Sequence, residues 1–462
     1  MSIAIEINDA GLCAAAASKG LLDLHSPGIA LLDGATLRVG TVAAESARLR
    51  PTHVHDRFWA ELGHEPLSRP FPREWSAADL AHAHLADFRA GLGESVDDGV
   101  VLVLPGSFSA QSAALLLGIA RAAGLPVDGL VDSAVAALAR GRSTGSGPVL
   151  HVDLELHRAV VTSLVLSGGV VRERVELLDG LGLRAWRDAV ARRIAELFVR
   201  ETRFDPLHSA ESEQALHLLL PAVLDGLTKS GATDVVLPAV GGERRLRVTR
   251  EEISQALEPL THELATAVSV RLASLGSSAL AVSHRVAALP GVTGRFEEAS
   301  TAVATRLPVG AAVLGAVERA DEIRSGNDAL PLVVRLGSQS SMTASDSQGV
   351  GASEGRRGAT HALIDGVAHS LLNAPLAVGV SVPSTLRGVD LEGEVAGISR
   401  HHCTLEYLEG RATVTDCSTW GTFLNDEKIA APTVVHAGDR VRLGSPGVEI
   451  RMIALAEEDG SA

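Results

Sequence analysis

The sequence predicts a two-lobed α/β region at residues 1–337, followed by an all-β sandwich at residues 361–456. Residues 1–337 alternate apolar, strand-like runs with helical patterns, whereas residues 361–456 contain only short strand-like runs separated by turn residues. Residues 338–360 are rich in Ser and Gly and nearly free of apolar side chains, so we expect a flexible linker there. The last residues, 457–462, are expected to form a tail.

The α/β region contains clear signals for individual elements. A continuous apolar run at residues 100–104 predicts a buried strand. Apolar positions spaced by three and four at residues 109–123, ended by Gly124 and Pro126, predict a helix. The same patterns predict strands at residues 149–153, 159–166, 279–282 and 286–291, and a helix at residues 184–199.

Composition and charge restrict the classes of partner. The net charge of −15 at pH 7 argues against nucleic acid and anionic membranes as main partners. No apolar run reaches the roughly 18 residues of a membrane span, and the N-terminus carries no secretion signal. The three cysteines, Cys13, Cys403 and Cys417, have no metal-type spacing. We therefore expect a cytoplasmic chain with reduced thiols and protein partners.

Phosphate-binding residue types occur in two loops of the predicted sandwich. Ser399 and Arg400 open an S-R-x-H segment that ends at His402, and D-C-S-T-W-G-T-F-L-N follows at residues 416–425. Hydroxyls and a guanidinium fork are suitable donors to phosphate oxygens. With G-D-R-V-R-L-G at residues 438–444, these segments resemble the ordered motifs of the forkhead-associated (FHA) family. The resemblance implies a β-sandwich that binds phosphothreonine peptides.

The FHA resemblance also implies roles for individual residues. Ser399 and Arg400 would face the phosphate, and Thr419 would lie at the pocket for the phosphothreonine side chain. His402 would brace the first loop from inside the sandwich. The framework residues that the resemblance implies are His402, Gly421 and Asn425.

Two positions depart from the FHA pattern. The family arginine on an early strand is Val380 here, and the family asparagine before the glycine is Trp420. A hydrogen bond to a charged group contributes about 1.5–3 kcal/mol, so both changes weaken a phosphopeptide site. Arg387 could replace part of the lost charge. An exposed Trp420 could instead anchor a partner without phosphate, because aromatic residues are enriched at interfaces. Phosphate-dependent and phosphate-independent binding both remain open at this point.

Two segments of the α/β region carry a second resemblance. V-L-V-L-P-G-S-F-S-A-Q-S-A at residues 101–113 and A-G-L-P-V-D-G-L-V-D-S-A-V-A-A-L at residues 123–138 resemble the V-P-x-x-F, A-G-L and N-E-P-T-A-A-A-L segments of the actin/DnaK-type superfamily. The resemblance covers residues 1–335. It implies a two-lobed ATPase fold that clamps ATP between paired phosphate loops and an adenosine loop.

The loops that should hold ATP keep few of the residues that the family uses. The first phosphate loop keeps Gly11, the second keeps Asp153, and the adenosine loop keeps Gly291 with its double glycine split. Glycines let backbone N–H groups approach phosphate oxygens, whereas Glu155 in the second loop adds bulk and negative charge. We therefore expect a pseudo-ATPase with no cofactor, in which any residual binding of ATP and Mg would depend on these three residues.

Other candidate chemistry is sparse. His53 and His55 lack further ligands at suitable spacing, so no metal site is expected. The sequence predicts a non-enzymatic scaffold or adaptor that uses a degenerate chaperone-like region and an FHA-like domain for protein interaction. The alternatives are an active ATP-dependent chaperone-like protein, a phosphothreonine-reading receptor downstream of a Ser/Thr kinase, and a filament subunit.

Overall fold

The chain divides into two compact units, Met1–Met342 and Thr343–Ala462. The computed structural model describes residues 2–92, 96, 99–140, 146–277, 279–300, 302–325, 330–337, 359–364, 367–371, 374–383, 386–391, 397–408, 411–425, 427–429, 431–444 and 447–453. The predicted tail and all of the predicted linker except residues 359–360 lie outside the described residues. Ala359 is buried in the sandwich core and the Thr360 carbonyl accepts a hydrogen bond from Leu371, so these two residues belong to the second unit.

The first half of the N-terminal unit begins with consecutive strands and continues with alternating helices and strands. Its elements are β1 Ile3–Glu6, β2 Leu12–Ala16, β3 Gly20–Ser26, β4 Ala30–Asp33, β5 Thr36–Val39, α1 Gly40–Ala44, a 3-10 turn Pro51–His53, β6 Val54–His55, α2 Ala77–Gly91, β7 Val100–Leu104, α3 Ala110–Ala122, β8 Val127–Asp132 and α4 Ser133–Ala139. The predicted strand and helix at residues 100–123 are present. Ser109 caps α3 by accepting a hydrogen bond from the Ser112 N–H at 3.0 Å.

The second half of this unit follows a similar order. Its elements are β9 Gly147–Leu154, β10 Arg158–Leu166, β11 Gly169–Asp179, α5 Leu183–Thr202, α6 Ala210–Ser230, β12 Ala232–Ala239, β13 Gly242–Thr249, α7 Arg250–Leu275, β14 Ala279–Val282, α8 His284–Ala287, α9 Val292–Ser300, β15 Val303–Arg306, α10 Ala311–Glu318, α11 Ala320–Ile323, β16 Leu332–Val333 and β17 Arg335–Gly337. The predicted strands at residues 149–153, 159–166 and 279–282 and the helix at 184–199 are therefore present.

One strand prediction is wrong. Residues 286–291 are not a strand: α8 ends at Ala287, and a turn leads into α9. The Ser283 hydroxyl accepts a hydrogen bond from the Val286 N–H at 3.4 Å and caps α8. Val286 and Leu289 of this segment are buried in the core next to the helices, and the apolar run alone does not distinguish this burial from that of a strand.

The two main sheets of the N-terminal unit share a topology over five of their six strands; the sixth, β16 or β17, lies at the parallel edge of the first sheet and at the antiparallel edge of the second. The first has the order β16-β8-β7-β1-β2-β3 and the second β15-β14-β9-β10-β11-β17. In each sheet, three consecutive strands pair antiparallel: β1–β3 in the first and β9–β11 in the second. Two later strands then extend the sheet in parallel from the first of the three: β7 and β8 from β1, and β14 and β15 from β9. This repeat places the β1–β2 turn of one sheet and the β9–β10 turn of the other at equivalent positions.

Small side chains fill the layer shared by the two sheets. Val101, Val103, Leu164, Ala281 and Val313 belong to one buried cluster that draws on both sheets and on α10. The outer layers contain larger residues, with Phe58 and Phe88 under the first sheet and Trp186, Phe198 and Phe296 under the second. The Ala- and Val-rich composition is thus used where two sheets and their helices approach closely.

The C-terminal unit is a β-sandwich. Its strands are β18 His361–Ile364, β19 Val367–Ser370, β20 Leu376–Gly379, β21 Gly388–Asp390, β22 Cys403–Leu408, β23 Arg411–Asp416, β24 Thr422–Leu424, β25 Glu427–Lys428, β26 Thr433–Val435, β27 Arg440–Leu443 and β28 Val448–Ile453. They form sheets of order β19-β18-β28-β27-β24-β25 and β21-β20-β22-β23-β26. Val378, Leu405 and Val414 of one sheet pack in the same core as Val441 and Ile450 of the other.

Candidate functional site

The loop before β22 is held from below by a buried histidine. His402 is fully buried; its Nδ1 accepts a hydrogen bond from the Ser399 N–H at 3.1 Å. Its Nε2 lies 3.2 Å from the Gly421 carbonyl oxygen, so the ring carries its proton on Nε2. Burial lowers the pKa of His402, which keeps the ring neutral at pH 7. This residue therefore ties the 397–402 loop to the loop that follows β23.

The loop after β23 is ordered by its own polar side chains. Asp416 accepts hydrogen bonds from the Ser418 N–H at 3.0 Å and the Thr422 hydroxyl at 2.9 Å, and Ser418 Oγ accepts one from the Gly421 N–H at 2.7 Å. Burial acts to raise the pKa of Asp416, but the hydrogen bonds from Ser418 and Thr422 lower it below its usual value. Gly421 has a φ of 93°, which favours glycine at this turn.

The two loops meet at Ser399 and Thr419. Ser399 Oγ accepts a hydrogen bond from the Thr419 N–H at 3.2 Å, so its own proton is available to another acceptor. Arg400 is exposed, and its guanidinium makes no hydrogen bond or ion pair within the part of the chain that the structure describes. Trp420 is 64% exposed beside them. The structure thus brings together a hydroxyl, a free cation and an exposed aromatic ring.

The early strand of the sandwich contacts this loop through its backbone. The Val380 N–H donates to the Ser399 carbonyl at 3.2 Å, and the Ser381 N–H donates to the Arg400 carbonyl at 3.1 Å. A Cβ at Gly379 would overlap the Arg400 carbonyl oxygen, so this close approach requires glycine. Position 380 therefore adjoins the candidate site, and valine there supplies no charge.

Arg387 is placed away from the other predicted site residues. Its Nη1 donates to the carbonyl oxygens of Ser370 at 2.8 Å and Ala374 at 2.9 Å. Its own carbonyl accepts from Ala377, near the start of β20, whereas the Ser399 loop contacts the end of that strand. These contacts use the guanidinium to hold the backbone, and Arg387 does not join Ser399 and Arg400.

Lys428 is a cation near the site that sequence reasoning missed. The lysine on β25 pairs with Phe423 of β24, and its side chain crosses the face of Gly421. Its Nζ would lie 2.8 Å from a Cβ at that glycine. Lys428 is exposed and has no hydrogen bond or ion pair among the described residues. The sequence alone does not indicate this position, because the pairing of β24 with β25 brings Lys428 next to Gly421.

Asn425 supports the strands behind the loops. Its φ of 49° is left-handed, a conformation that asparagine tolerates better than most residues. Its side chain donates to Asp439 at 2.9 Å and accepts from the Arg440 N–H at 3.0 Å. Asn425 is therefore positioned to fix the β24–β27 pair and does not face the loop pair.

A second polar cluster lies in the N-terminal unit, between the ends of β1 and β9. The Arg285 guanidinium lies 3.1 Å from Glu6 Oε1 and 3.0 Å from Asp153 Oδ2. All three side chains are buried, with exposures of 8%, 3% and 6%. Burial acts to raise the pKa of Asp153, but Arg285 lowers it below its usual value. The sequence analysis did not single out Arg285, because its partners lie 279 and 132 residues away along the chain.

The turns beside this cluster are closed by side chains. Asn8 donates to the Leu154 carbonyl at 3.2 Å, and the Leu156 N–H donates to Asp9, so the β1–β2 and β9–β10 turns bond to each other. Burial, followed by the charge of Asp9, raises the pKa of Glu155 to about 8. Glu155 is thus predominantly protonated at neutral pH.

The glycines predicted for nucleotide binding are separated. The His25 ring lies directly against Gly11 and fills the space that a Cβ would need. Gly291, with a φ of 85°, faces Ser254 of α7. Asp153 pairs with Arg285 instead of either glycine. Within the described part of the chain, no group of three or more His, Cys, Asp or Glu residues is arranged to hold a metal ion.

No helix among the described residues is long and apolar enough to cross a membrane.

Comparison with known proteins assigns part of the C-terminal unit to a family. The FHA domain family matches residues 387–444, which include both loops, so this region is an FHA domain, as the sequence predicts. The kinesin-like protein KIF14 of Mus musculus is 36% identical over 67 residues, which are 14% of this chain and 4% of that protein. The chain therefore covers a small part of that relative's length. The FHA match leaves the N-terminal unit outside it.

Proposed function

We propose that this chain is a non-enzymatic scaffold whose FHA domain binds a threonine-phosphorylated protein. The observation that carries this proposal is the exposed Arg400 guanidinium, which has no partner among the described residues, next to Ser399 on loops that a buried histidine holds together. A guanidinium fork and a hydroxyl are matched to phosphate oxygens. Thr419 lies on the second loop, where it would adjoin the phosphothreonine side chain.

The charges at the site favour moderate affinity for a peptide that carries a single phosphate. Val380 supplies no charge, Arg387 is bound to backbone carbonyls, and Arg442 lies over the Phe423 ring, so we assign the phosphate to Arg400 and Lys428 among the described cations. Each charge-assisted hydrogen bond contributes about 1.5–3 kcal/mol, so bonds from these cations would raise the affinity for the phosphorylated peptide above that for the plain one. Trp420, 64% exposed, would add apolar contact with residues next to the phosphothreonine.

This proposal can be tested with a peptide library on the full chain. Phosphothreonine, phosphoserine and unmodified threonine libraries would be compared on wild type, Ser399→Ala and Arg400→Gln. We expect enrichment from the phosphothreonine library only, and its loss in both variants. Arg411→Gln is the matched control, because Arg411 is an exposed arginine at the opposite end of β23 from Asp416. Equal capture of phosphorylated and plain peptides would favour a phosphate-independent partner site centred on Trp420.

We also propose that the N-terminal unit has an actin/DnaK-like two-lobed fold that no longer hydrolyses ATP. The repeated sheet topology supports the fold, because the two polar turns occupy equivalent positions in both halves. Arg285 supports the loss of activity. Its guanidinium lies between the two carboxylates, Glu6 and Asp153, which would otherwise be free to coordinate a divalent cation. A scaffold role then follows from two units that bind without catalysis.

Nucleotide tests can contradict this part of the proposal. We expect the thermal unfolding of the N-terminal unit to be unchanged by Mg-ATP, and phosphate release to stay at the level of a blank. A ligand at about 100 times its Kd would stabilise the fold by about 2.7 kcal/mol. A stabilisation of that size, with phosphate release, would favour an active ATP-dependent chaperone-like protein.

A further inference from the structure

Two adjoining cavities in the N-terminal unit meet at His25, Arg187 and Pro221. One has a volume of about 410 Å³ and the other about 460 Å³. The first is bounded by α6 and by the segments that follow β14 and β15, and the second by α5, α6 and the segments from β3 to β6. Both volumes lie within the range of small-molecule sites, about 300–1,000 Å³.

The walls of the first cavity are mainly apolar. Leu183, Leu224, Leu289, Leu307 and Val309 line it. An apolar wall of this extent favours the hydrocarbon part of a ligand and disfavours a strongly hydrated one.

The carboxylates around both cavities are already paired. Asp188 lies 2.7 Å from Arg48. Asp225 lies 2.8 Å from Lys229. The remaining lining carboxylate, Asp56, forms an ion pair with Arg184.

Arg187 is the lining arginine that combines a buried, unsatisfied Nε with the lack of an anionic partner among the described residues. Its Nε is buried without a hydrogen-bond partner, and no ion pair joins its guanidinium to another described residue. The pKa of Arg187 is lowered, first by burial and then by the nearby charge of Arg285. A buried donor left unsatisfied is unfavourable, so an anion that reaches it would be bound strongly.

The other ionisable groups leave this positive charge uncompensated. Burial lowers the pKa of His217 and of His284 to about 4, and it also lowers the pKa of His25, so the three rings are neutral at pH 7. Arg285 is neutralised by its two carboxylates. Arg306, exposed at the rim, adds a second cation without a partner among the described residues.

We propose that the joined cavities bind an amphipathic organic anion, with an apolar body along α6 and a single carboxylate against Arg187. The apolar walls and the half-buried Arg187 guanidinium, whose Nε is buried and unsatisfied, support this ligand class. A nucleotide fits poorly, because a triphosphate needs several cations, whereas the lining Arg285 is bound by Glu6 and Asp153 and Arg306 lies exposed at the rim. All of the lining residues belong to the N-terminal unit, so this proposal does not rest on phosphate binding by the FHA domain.

The test is isothermal titration of the full chain with decanoate and its neutral counterpart decanol. We expect decanoate to bind wild type at least about tenfold more tightly than decanol, because only the carboxylate pairs with the guanidinium. Arg187→Gln should weaken decanoate about tenfold or more and leave decanol unchanged, whereas Arg187→Lys should retain most of the binding. Arg200→Gln, an exposed position on the same helix, is the matched control.

Several results would overturn this site. Equal affinity for decanoate and decanol in wild type would remove the role of the charge, and this comparison needs no variant to fold. Unaltered decanoate binding in Arg187→Gln would place the ligand elsewhere, as would the absence of binding at millimolar decanoate. Binding of Mg-ATP that depends on Arg187, without decanoate binding, would contradict the proposed ligand class.

Discussion

Replacing Arg285 with methionine would leave Glu6 and Asp153 buried without their shared cation. The guanidinium lies within 3.1 Å of both carboxylates and is itself buried. Removing one partner of a buried ion pair typically lowers the free energy of unfolding by about 3–5 kcal/mol. We expect Arg285→Met to lie at the upper end of that range at pH 7, because one cation serves two acids.

The loss should depend on pH in a defined direction. In wild type the pKa of Asp153 is lowered, so this carboxylate stabilises the fold above its ordinary value of 3.8. In Arg285→Met, burial would instead raise the pKa of Asp153 above its unfolded value. Asp153 of the variant would then bind a proton in the folded state. The difference in the free energy of unfolding between wild type and Arg285→Met should therefore become smaller as the pH falls from about 6 to 4.

Urea unfolding followed by far-UV circular dichroism measures this change, because every helix among the described residues belongs to the N-terminal unit. The triple variant Glu6→Gln, Asp153→Asn, Arg285→Met is the control, since replacing every charge of a buried ion cluster by an uncharged group often leaves the free energy of unfolding nearly unchanged. A single variant within about 1 kcal/mol of wild type at pH 7, or a triple variant no better than the single one, would refute the reasoning.

Three further changes test the two units. Burial raises the pKa of Glu155 from 4.5 to about 8, so the folded state binds an extra proton between these pH values. The free energy of unfolding should therefore fall by up to about 1.4 kcal/mol per pH unit as the pH rises through this range. Glu155→Gln should remove this decline, and the same pH dependence of the free energy of unfolding in the variant and in wild type, from pH 5 to 8.5, would contradict the argument. Gly379→Ala should displace the Arg400 loop and destabilise the sandwich by about 1–3 kcal/mol in thermal unfolding. Asn425→Ala should lower the free energy of unfolding by about 1–3 kcal/mol through the lost contacts to Asp439 and the 440 N–H, with Asn425→Asp as the closest isostere for comparison.

Local patterns predicted the strands at residues 100–104, 149–153, 159–166 and 279–282, the helices at residues 109–123 and 184–199, and the class of the C-terminal unit. The S-R-x-H segment and the 416–425 segment carry turn residues and bonded hydroxyls, and the structure places residues 397–402 and 417–421 in loops next to strands. Sandwich pairing then brings Ser399 and Thr419 to 3.2 Å. The FHA prediction is confirmed by the family match to residues 387–444, which include these motifs.

Long-range packing accounts for what the sequence did not reveal. Arg387 has the residue type of a phosphate ligand, but strand register places it next to the Ser370 and Ala374 carbonyls. Lys428 reaches Gly421 only through the β24–β25 pairing. Arg285 follows a short strand, and its role is visible only once two distant sheets meet. Residue type is readable from sequence, whereas the neighbour that a side chain faces depends on register and topology.

A double-mutant cycle between the phosphate and Arg400 tests the central claim most directly. The affinities of the best phosphothreonine peptide and its unphosphorylated form would be measured by titration calorimetry for wild type and Arg400→Gln. If the guanidinium binds the phosphate, the coupling energy should be about 1.5–3 kcal/mol. A coupling energy within about 0.3 kcal/mol of zero would contradict the account, because phosphate and arginine would then contribute independently.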